Sequence, residues 1–212
     1  QAAYTHALLF DLLPDAPDEH GVLRPQELSA VNDPAKVDAT VHWCTADLAW
    51  VTAHTYEIYG PLSNGVTQVI YEGVPNAPHP GRHFEVIERY GVTTHYTAPT
   101  LIRSLMGWFP DGIPTPEQGG WDLSSIRLIG TVGESVNPEA WTWARTQIGR
   151  DTPDLPMVDT WWQSETGSTV ISPRPTDTAF KPGCGSRPLP GVDVAVVDDD
   201  GAPTSAGLQG RI

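Results

Sequence analysis

The sequence is short of cysteine: Cys44 and Cys184 are the only two in 212 residues. They form no CxxC pair, and the chain is too long and too cysteine-poor to be a small disulfide scaffold. Two free thiols fit a cytoplasmic protein. Positive charge is also scarce, with 12 Lys and Arg against 26 Asp and Glu, a net charge of −14. Such a chain repels phosphate backbones and anionic lipid, which argues against nucleic-acid and membrane partners. No apolar run approaches 18 residues, so no membrane-spanning helix is expected. There is no GxSxG elbow, no GxxxxGK[ST] loop, no evident Ser-His-Asp order, no internal repeat and no low-complexity tract. The first residues, QAAYTHALLF, lack an initiator Met, a basic n-region and a cleavage site. The last, GLQGRI, read as the middle of a hairpin. Both ends predict a piece of a longer protein.

What is present is the composition of a globular chain, 39% hydrophobic and 18% charged, with many turns implied by 20 Gly and 21 Pro. Residues 2–13 carry Ala, Leu and Phe at helical spacing. Residues 14–40 begin with a stretch rich in Pro, Asp and Glu and read as a loop or insertion. Strands are expected at 67–73, 92–96, 126–132, 156–160 and 192–201, the last running into an Asp-Gly turn. Helices are expected at 83–91, 99–109 and 137–149. Asn137 is the N-cap of the third, Pro138 its first residue and Gly149 its stop. Strands alternating with helices from 67 to 160 predict βαβ units, an α/β fold and a mostly parallel sheet.

In such sheets ligands bind beyond the carboxyl ends of the strands. Two polar segments fall there: GTVGESVNP (130–138) and VDTWWQSETGS (158–168). In the first, Gly133 and Glu134 sit between a strand and a capped helix, where backbone N–H groups suit an anionic ligand. A routine βα turn reads the same way. In the second, consecutive tryptophans on an extended chain face opposite sides, so one packs inward while the other walls a cavity. Gln163 and Ser164 offer hydrogen bonds, Glu165 is a hard oxygen ligand of the kind Mg²⁺ shares with phosphates, and Gly167 permits close approach. A core Trp pair followed by an exposed turn is the plain alternative. Glu134 and Glu165 could instead be the acid and base of a glycosidase. His79 and His83 are spaced for a metal, although Pro80 and Gly81 interrupt any helix between them. GCGSRP (183–188) is an incomplete dinucleotide fingerprint.

Taken in order, WCTADLAWVTAHTYEIYGPLSNG (43–65), YEGVPNAP (71–78), YTAPTLIRSLM (96–106), IRLIGTVGESVNPEAW (126–141), VDTWWQSETGS (158–168) and KPGCGSRPLPGV (181–192) closely resemble the AMP-forming acetyl-coenzyme A synthetases of the acyl-adenylate-forming superfamily. The resemblance covers nearly all of 41–212, and the helix at 2–13 looks like the family too. It implies part of the N-terminal adenylation domain, with layered helices and mostly parallel sheets, turning β-rich over 181–212. It implies acetate activation by Mg·ATP through acetyl-adenylate, then transfer to CoA, with Mg²⁺ as cofactor and ATP and CoA as substrates. By motif position, Gly133, Glu134, Ser135, Asp159, Thr160, Trp161, Trp162, Gln163 and Ser164 would line the nucleotide. Glu165 would attend the metal and, with Ser164, the chemistry. Trp50, Val51, Thr52, Val132 and Trp162 would form the acetate pocket, and Ala98 would lie near CoA.

Ala53 stands where the family usually has Gly, Ser135 where it has Pro and Ser164 where it has Thr. The family's phosphate loop, expected before residue 1, and its lid with the catalytic lysine, expected after residue 212, are not in this sequence. Two other readings stay open: a ligase for another small acid such as propionate, and a non-catalytic adenylate-binding paralogue.

Overall fold

The computed structural model describes residues 1–13, 32–150, 152, 154–177 and 179–212. Among the described residues five short strands form one sheet: β1 (Val41–Cys44), β2 (Thr67–Gln68), β3 (Thr94–Thr97), β4 (Leu128–Thr131) and β5 (Met157–Asp159). Every pairing is parallel, and the order is β2-β1-β3-β4-β5. Parallel strands need both faces covered, and their side chains alternate accordingly. Trp43, Ile129 and Met157 enter one apolar cluster, while Cys44, Tyr96, Leu128 and Val158 enter the other. Gly130 faces that second layer because a Cβ there would lie 2.5 Å from the Tyr96 ring.

The helices divide between the faces. On the first lie α4 (Arg82–Tyr90), α5 (Pro99–Trp108) and α6 (Pro138–Trp143, continued by a π-helical turn Ala144–Ile148), through Phe84, Val86 and Ile87, then Ile102 and Leu105, then Ala140, Ala144 and Ile148. On the second lie α1 (Ala2–Leu9) and α3. α3 is built of an α-helical turn Val51–Ala53, a π-helical stretch His54–Tyr59 and a final turn Gly60–Ser63. Pro61 has no N–H to give the Glu57 carbonyl, and its ring crowds that turn, which accounts for the widening just before it.

The sequence-expected helices over 83–91, 99–109 and 137–149 form within a residue or two, and Asn137 caps its helix as expected by accepting from the Ala140 N–H at 3.1 Å. α1 stops at Leu9, short of the expected residue 13. The strand expected over 67–73 pairs only at Thr67–Gln68, because it is the sheet edge. Residues 192–201 bury no face and hold a single bridging residue, Val197, with the turn at Asp198–Gly201 in place. Part of the 14–40 segment, residues 14–31, lies outside the described residues. Its end forms α2 (Pro34–Asp38), where the Asp33 carboxylate caps the Ala35 N–H.

β1 and α3 were hidden in the sequence. VHWC mixes His42 and Cys44 with Trp43 and so lacks the apolar run of a buried strand. His42 is nevertheless buried, held by the Thr94 hydroxyl at 2.8 Å and the Tyr56 carbonyl at 2.9 Å.

Candidate functional site

Because all five strands are parallel, their carboxyl ends share one edge of the sheet. The sequence-predicted residues emerge from four of those ends. Trp50, Val51 and Thr52 follow β1, Ala98 follows β3, Val132 to Ser135 follow β4, and Thr160 to Glu165 follow β5. The winding reverses between β1 and β3, the crevice position at which open α/β sheets receive ligands. There the hydroxyls of Thr45 and Thr97 meet at 2.6 Å.

The inner tier is fully engaged with protein. Asp159 is 6% exposed and accepts from the Thr131 hydroxyl at 2.9 Å, tying the ends of β4 and β5 together. Burial raises its carboxyl above the ordinary aspartate range, and the Thr131 hydroxyl, then the nearby Val136 N–H, partly offset the rise. The Thr160 hydroxyl donates to the Thr131 carbonyl at 2.8 Å and meets Tyr96 Oη at 2.7 Å. Both side chains therefore brace the strand ends rather than face outward.

The outer tier consists of two exposed turns. Gly133, with φ 96°, opens the first, and Glu134 and Ser135 follow it at the surface. Among the described residues the N–H groups of these three donate to no backbone carbonyl. The second turn runs from Gln163 to Gly167. The Thr166 and Gly167 N–H groups close it on the Gln163 carbonyl at 3.1 and 3.2 Å, and Gly167 takes φ 72°. Ser164 and Glu165 stand at its exposed tip.

Between the tiers lies Trp162. It packs against the cluster containing Val132, with its ring 5.6 Å from Tyr56 at 82°. Its buried indole N–H sits close enough to act on the Tyr96 hydroxyl, yet among the described residues no acceptor lies at hydrogen-bond geometry. Trp161 belongs to neither apolar cluster and pairs with Ile171 through two backbone hydrogen bonds of 2.8 and 3.2 Å. Tyr56 pins α3 to the same segment: its hydroxyl donates to the Thr169 hydroxyl at 2.7 Å and accepts the Thr169 N–H at 2.9 Å. Thr55 adds a bond to the Gly167 carbonyl at 2.8 Å. The helix carrying Val51 and Thr52 is thus fixed to the turn carrying Glu165, while Trp50 is 70% exposed at its start.

Sequence reasoning passed over three residues here. Tyr56 gave no signal beyond its motif. Thr100 and Arg103 gave one, a helix beginning at Ala98-Pro99 without a capping side chain. Glu134 of the neighbouring turn lies against that helix start. Its carboxylate takes Arg103 Nη2 at 2.9 Å on each oxygen, together with the Thr100 hydroxyl. Bonds from Thr100 first and Arg103 next hold the carboxyl below its ordinary range, the opposite of what a glycosidase acid requires.

The histidine pair expected as a metal option is split. His79 meets Glu85 at 3.1 Å on the surface, whereas His83 is buried, Nε2 to Nε2 with His95 at 2.9 Å. Burial keeps both rings of that inner pair neutral, His95 down to about 3. Among the described residues no three His, Cys, Asp or Glu side chains cluster to hold a metal. A lone, unengaged carboxylate such as Glu165 suits Mg²⁺ shared with substrate phosphates and water, not a protein cage. GCGSRP opens no helix.

A cavity of about 90 Å³ lies at the end of β1, lined by Cys44, Thr45, Glu57, Tyr71 and His83 among others. Burial pushes the Cys44 thiol up to about 12. Glu57 is 4% exposed with Oε2 unpaired, and burial, then Asp47, raises its carboxyl from 4.5 to about 7. The fold therefore favours the protonated form, and this contribution is lost as pH rises from 4.5 to 7. Glu57→Gln is expected to stabilise the protein at pH 8 by about 1 kcal/mol, discounted for solvent in the cavity, and to leave pH 4.5 unchanged. Thermal denaturation at the two pH values checks it, and equal shifts at both would refute it.

A family profile described as AMP-binding enzyme matches residues 21–212. The chain belongs to the AMP-binding enzyme family. An acetyl-coenzyme A synthetase of Streptomyces avermitilis is 50% identical to this AMP-binding chain over 200 residues, 94% of the chain and 26% of that protein. Another, of Mycolicibacterium smegmatis, is 51% identical over 95% of the chain and 18% of its own length. A third, of Mycobacterium bovis, is 55% identical over 82% of the chain and 26% of its length. The chain thus spans about a quarter or less of these relatives. The crystal structure of an anthranilate CoA ligase in complex with anthranoyl-AMP superposes with a TM-score of 0.66 at 23% identity, covering 80% of this chain and 30% of that one. That likeness supports the fold: a parallel α/β sheet of the adenylate-forming type. Among the described residues no helix is long and apolar enough to cross a membrane.

Proposed function

We propose that this chain is part of the N-terminal adenylation domain of a cytoplasmic, AMP-forming acetate–CoA ligase. The reading is carried by one juxtaposition: Val132 and Trp162 share an apolar cluster directly beneath two exposed polar turns at neighbouring strand ends. A small acid above Trp162 would have its carboxylate within reach of a nucleotide lying along Gly133–Ser135 and Gln163–Glu165. The names of the relatives supply the acid, acetate, and the acceptor, CoA.

In the reaction, an acetate oxygen attacks the α-phosphorus of ATP and pyrophosphate leaves. The CoA thiolate then attacks the acyl carbon and AMP leaves. Acetate and the CoA thiolate are the nucleophiles of the two steps, so the protein side chains act by orientation and charge. The free N–H groups of the Gly133 turn receive nucleotide oxygens. The Ser164 hydroxyl donates to the α-phosphate, and Trp162, Val132, Val51 and Thr52 bound the acyl group. Glu165 would hold Mg²⁺, which neutralises phosphate charge when bound. Ala98, at the head of α5, faces the arriving thiol. Nucleic acid and membrane have no place in this chemistry.

The test is acetate-dependent exchange of labelled pyrophosphate into ATP, run on the protein at its relatives' length and on residues 1–212 alone. Exchange by the long form and none by the short form is expected. No exchange in the long form, with AMP still bound, favours a non-catalytic paralogue. Exchange by residues 1–212 alone would show that the phosphate loop and lid are dispensable.

A further inference from the structure

We propose that Arg103, acting with Thr100, is a positioning residue that sets the Gly133–Glu134 turn for the nucleotide and locks it to the head of α5. The proposal rests on the nucleotide reading above. Neither residue touches substrate in that reading; both act through Glu134.

Three observations meet here. The turn has little else to hold its shape. Val132 and Val136 on either side are buried, but Gly133, Glu134 and Ser135 between them are exposed. A Cβ on Gly133 would find nothing within 4 Å, so no packing presses on the turn from that side. Gly133 takes φ 96° at no steric cost, so the glycine by itself does not fix the shape of the turn.

The tether is better built than an ordinary surface ion pair, whose worth is small. Arg103 Nη2 reaches Glu134 Oε1 and Oε2, each at 2.9 Å, and also the Thr100 hydroxyl at 2.9 Å. Thr100 donates its hydroxyl to Glu134 Oε1. Thr100 and Arg103 stand one helical turn apart, so a single face of α5 grips the carboxylate.

Ala98, the N-cap residue of α5, makes no side-chain cap, and Glu134 lies against the first turn of that helix. Bound to Thr100 and Arg103, its carboxylate places negative charge near the positive end of the helix. Moving Glu134 therefore costs the ion pair, the Thr100 hydroxyl bond and that favourable charge placement. The turn after β4 and the residue after β3 become one rigid unit. In the proposed reaction the former meets the nucleotide and the latter the thiol.

In the protein at full length, Arg103→Gln is expected to raise KM for ATP about tenfold, with kcat within threefold and KM for acetate unchanged. Arg103→Lys should recover at least half of that loss. The double variant with Glu134→Gln should be no worse than Glu134→Gln alone. Thr100→Val, a smaller change, should raise KM for ATP about threefold, and it keeps the test open if Arg103→Gln folds poorly. Unchanged KM for ATP in folded Arg103→Gln and Thr100→Val, or losses that add in the double variant, would overturn the proposal. Its failure is distinct from failure of the function itself, because the latter shows as absent acetate-dependent exchange in the unmutated protein.

Discussion

Trp162→Gly in the full-length protein is expected to move the preferred acid from acetate to one of four to six carbons. In the fold, the indole fills the space between Tyr56 and the Val132 cluster. Glycine empties it. Each methylene that enters gains about 0.8 kcal/mol, so three extra carbons gain roughly 2.4 kcal/mol, or about fiftyfold in kcat/KM. Acetate, no longer pressed toward the phosphate, should lose about a hundredfold. The ratio of kcat/KM for pentanoate over acetate would then reverse by more than a thousandfold. Removing a packed Trp also destabilises, by about 3–5 kcal/mol in a buried setting. Trp162→Phe, which leaves a smaller gap, should favour propionate and fold more readily. A series from acetate to hexanoate decides the matter, and a folded Trp162→Gly enzyme that still prefers acetate would remove Trp162 from the pocket.

Glu165→Gln should act in the opposite manner, with a large effect on rate and almost none on stability. Its carboxylate stands at the tip of the Gln163–Gly167 turn, and that turn is closed by Thr166 and Gly167 without it. Melting temperature should stay within about a degree, because exposed substitutions away from such contacts have small effects. Adenylate formation should fall about a hundredfold, or roughly 2.7 kcal/mol, and half-maximal rate should need more Mg²⁺. Removing divalent ions with a chelator should abolish exchange in the unmutated enzyme and return it on adding Mg²⁺. Equal exchange rates for Glu165→Gln and the parent at limiting Mg²⁺ would show that Glu165 does not attend the metal.

These two residues lie three apart in VDTWWQSETGS, and the proposal gives them separate work, a division that the apolar and polar halves of the stretch suggest. The apolar and polar halves of that stretch, the strand before it and the Asn137-Pro138 helix start all follow from local chemistry. So does the α/β class, because helical and extended periods alternate from 67 to 160. Motif order pointed to the same family that the comparisons identify. Local rules failed where burial overrode polarity. VHWC did not look like a buried strand because His42 satisfies itself with Thr94 and Tyr56, partners 52 and 14 residues away. The α3 helix was masked by Pro61 and the π-helical stretch before it.

Residue type and order thus indicated the family and most of the elements, though not β1 or α3. They did so because capping, turn formation and alternation act over a few residues. The depth of each side chain was decided only by the tertiary structure. In one motif, Asp159 and Thr160 turn inward to brace strand ends, while Ser164 and Glu165 remain outside. Tyr56 became a hub, and Arg103 met Glu134 across 31 residues. Such pairings depend on strand order in the sheet, β3 beside β4 beside β5. Spacing along the chain contains no record of that order.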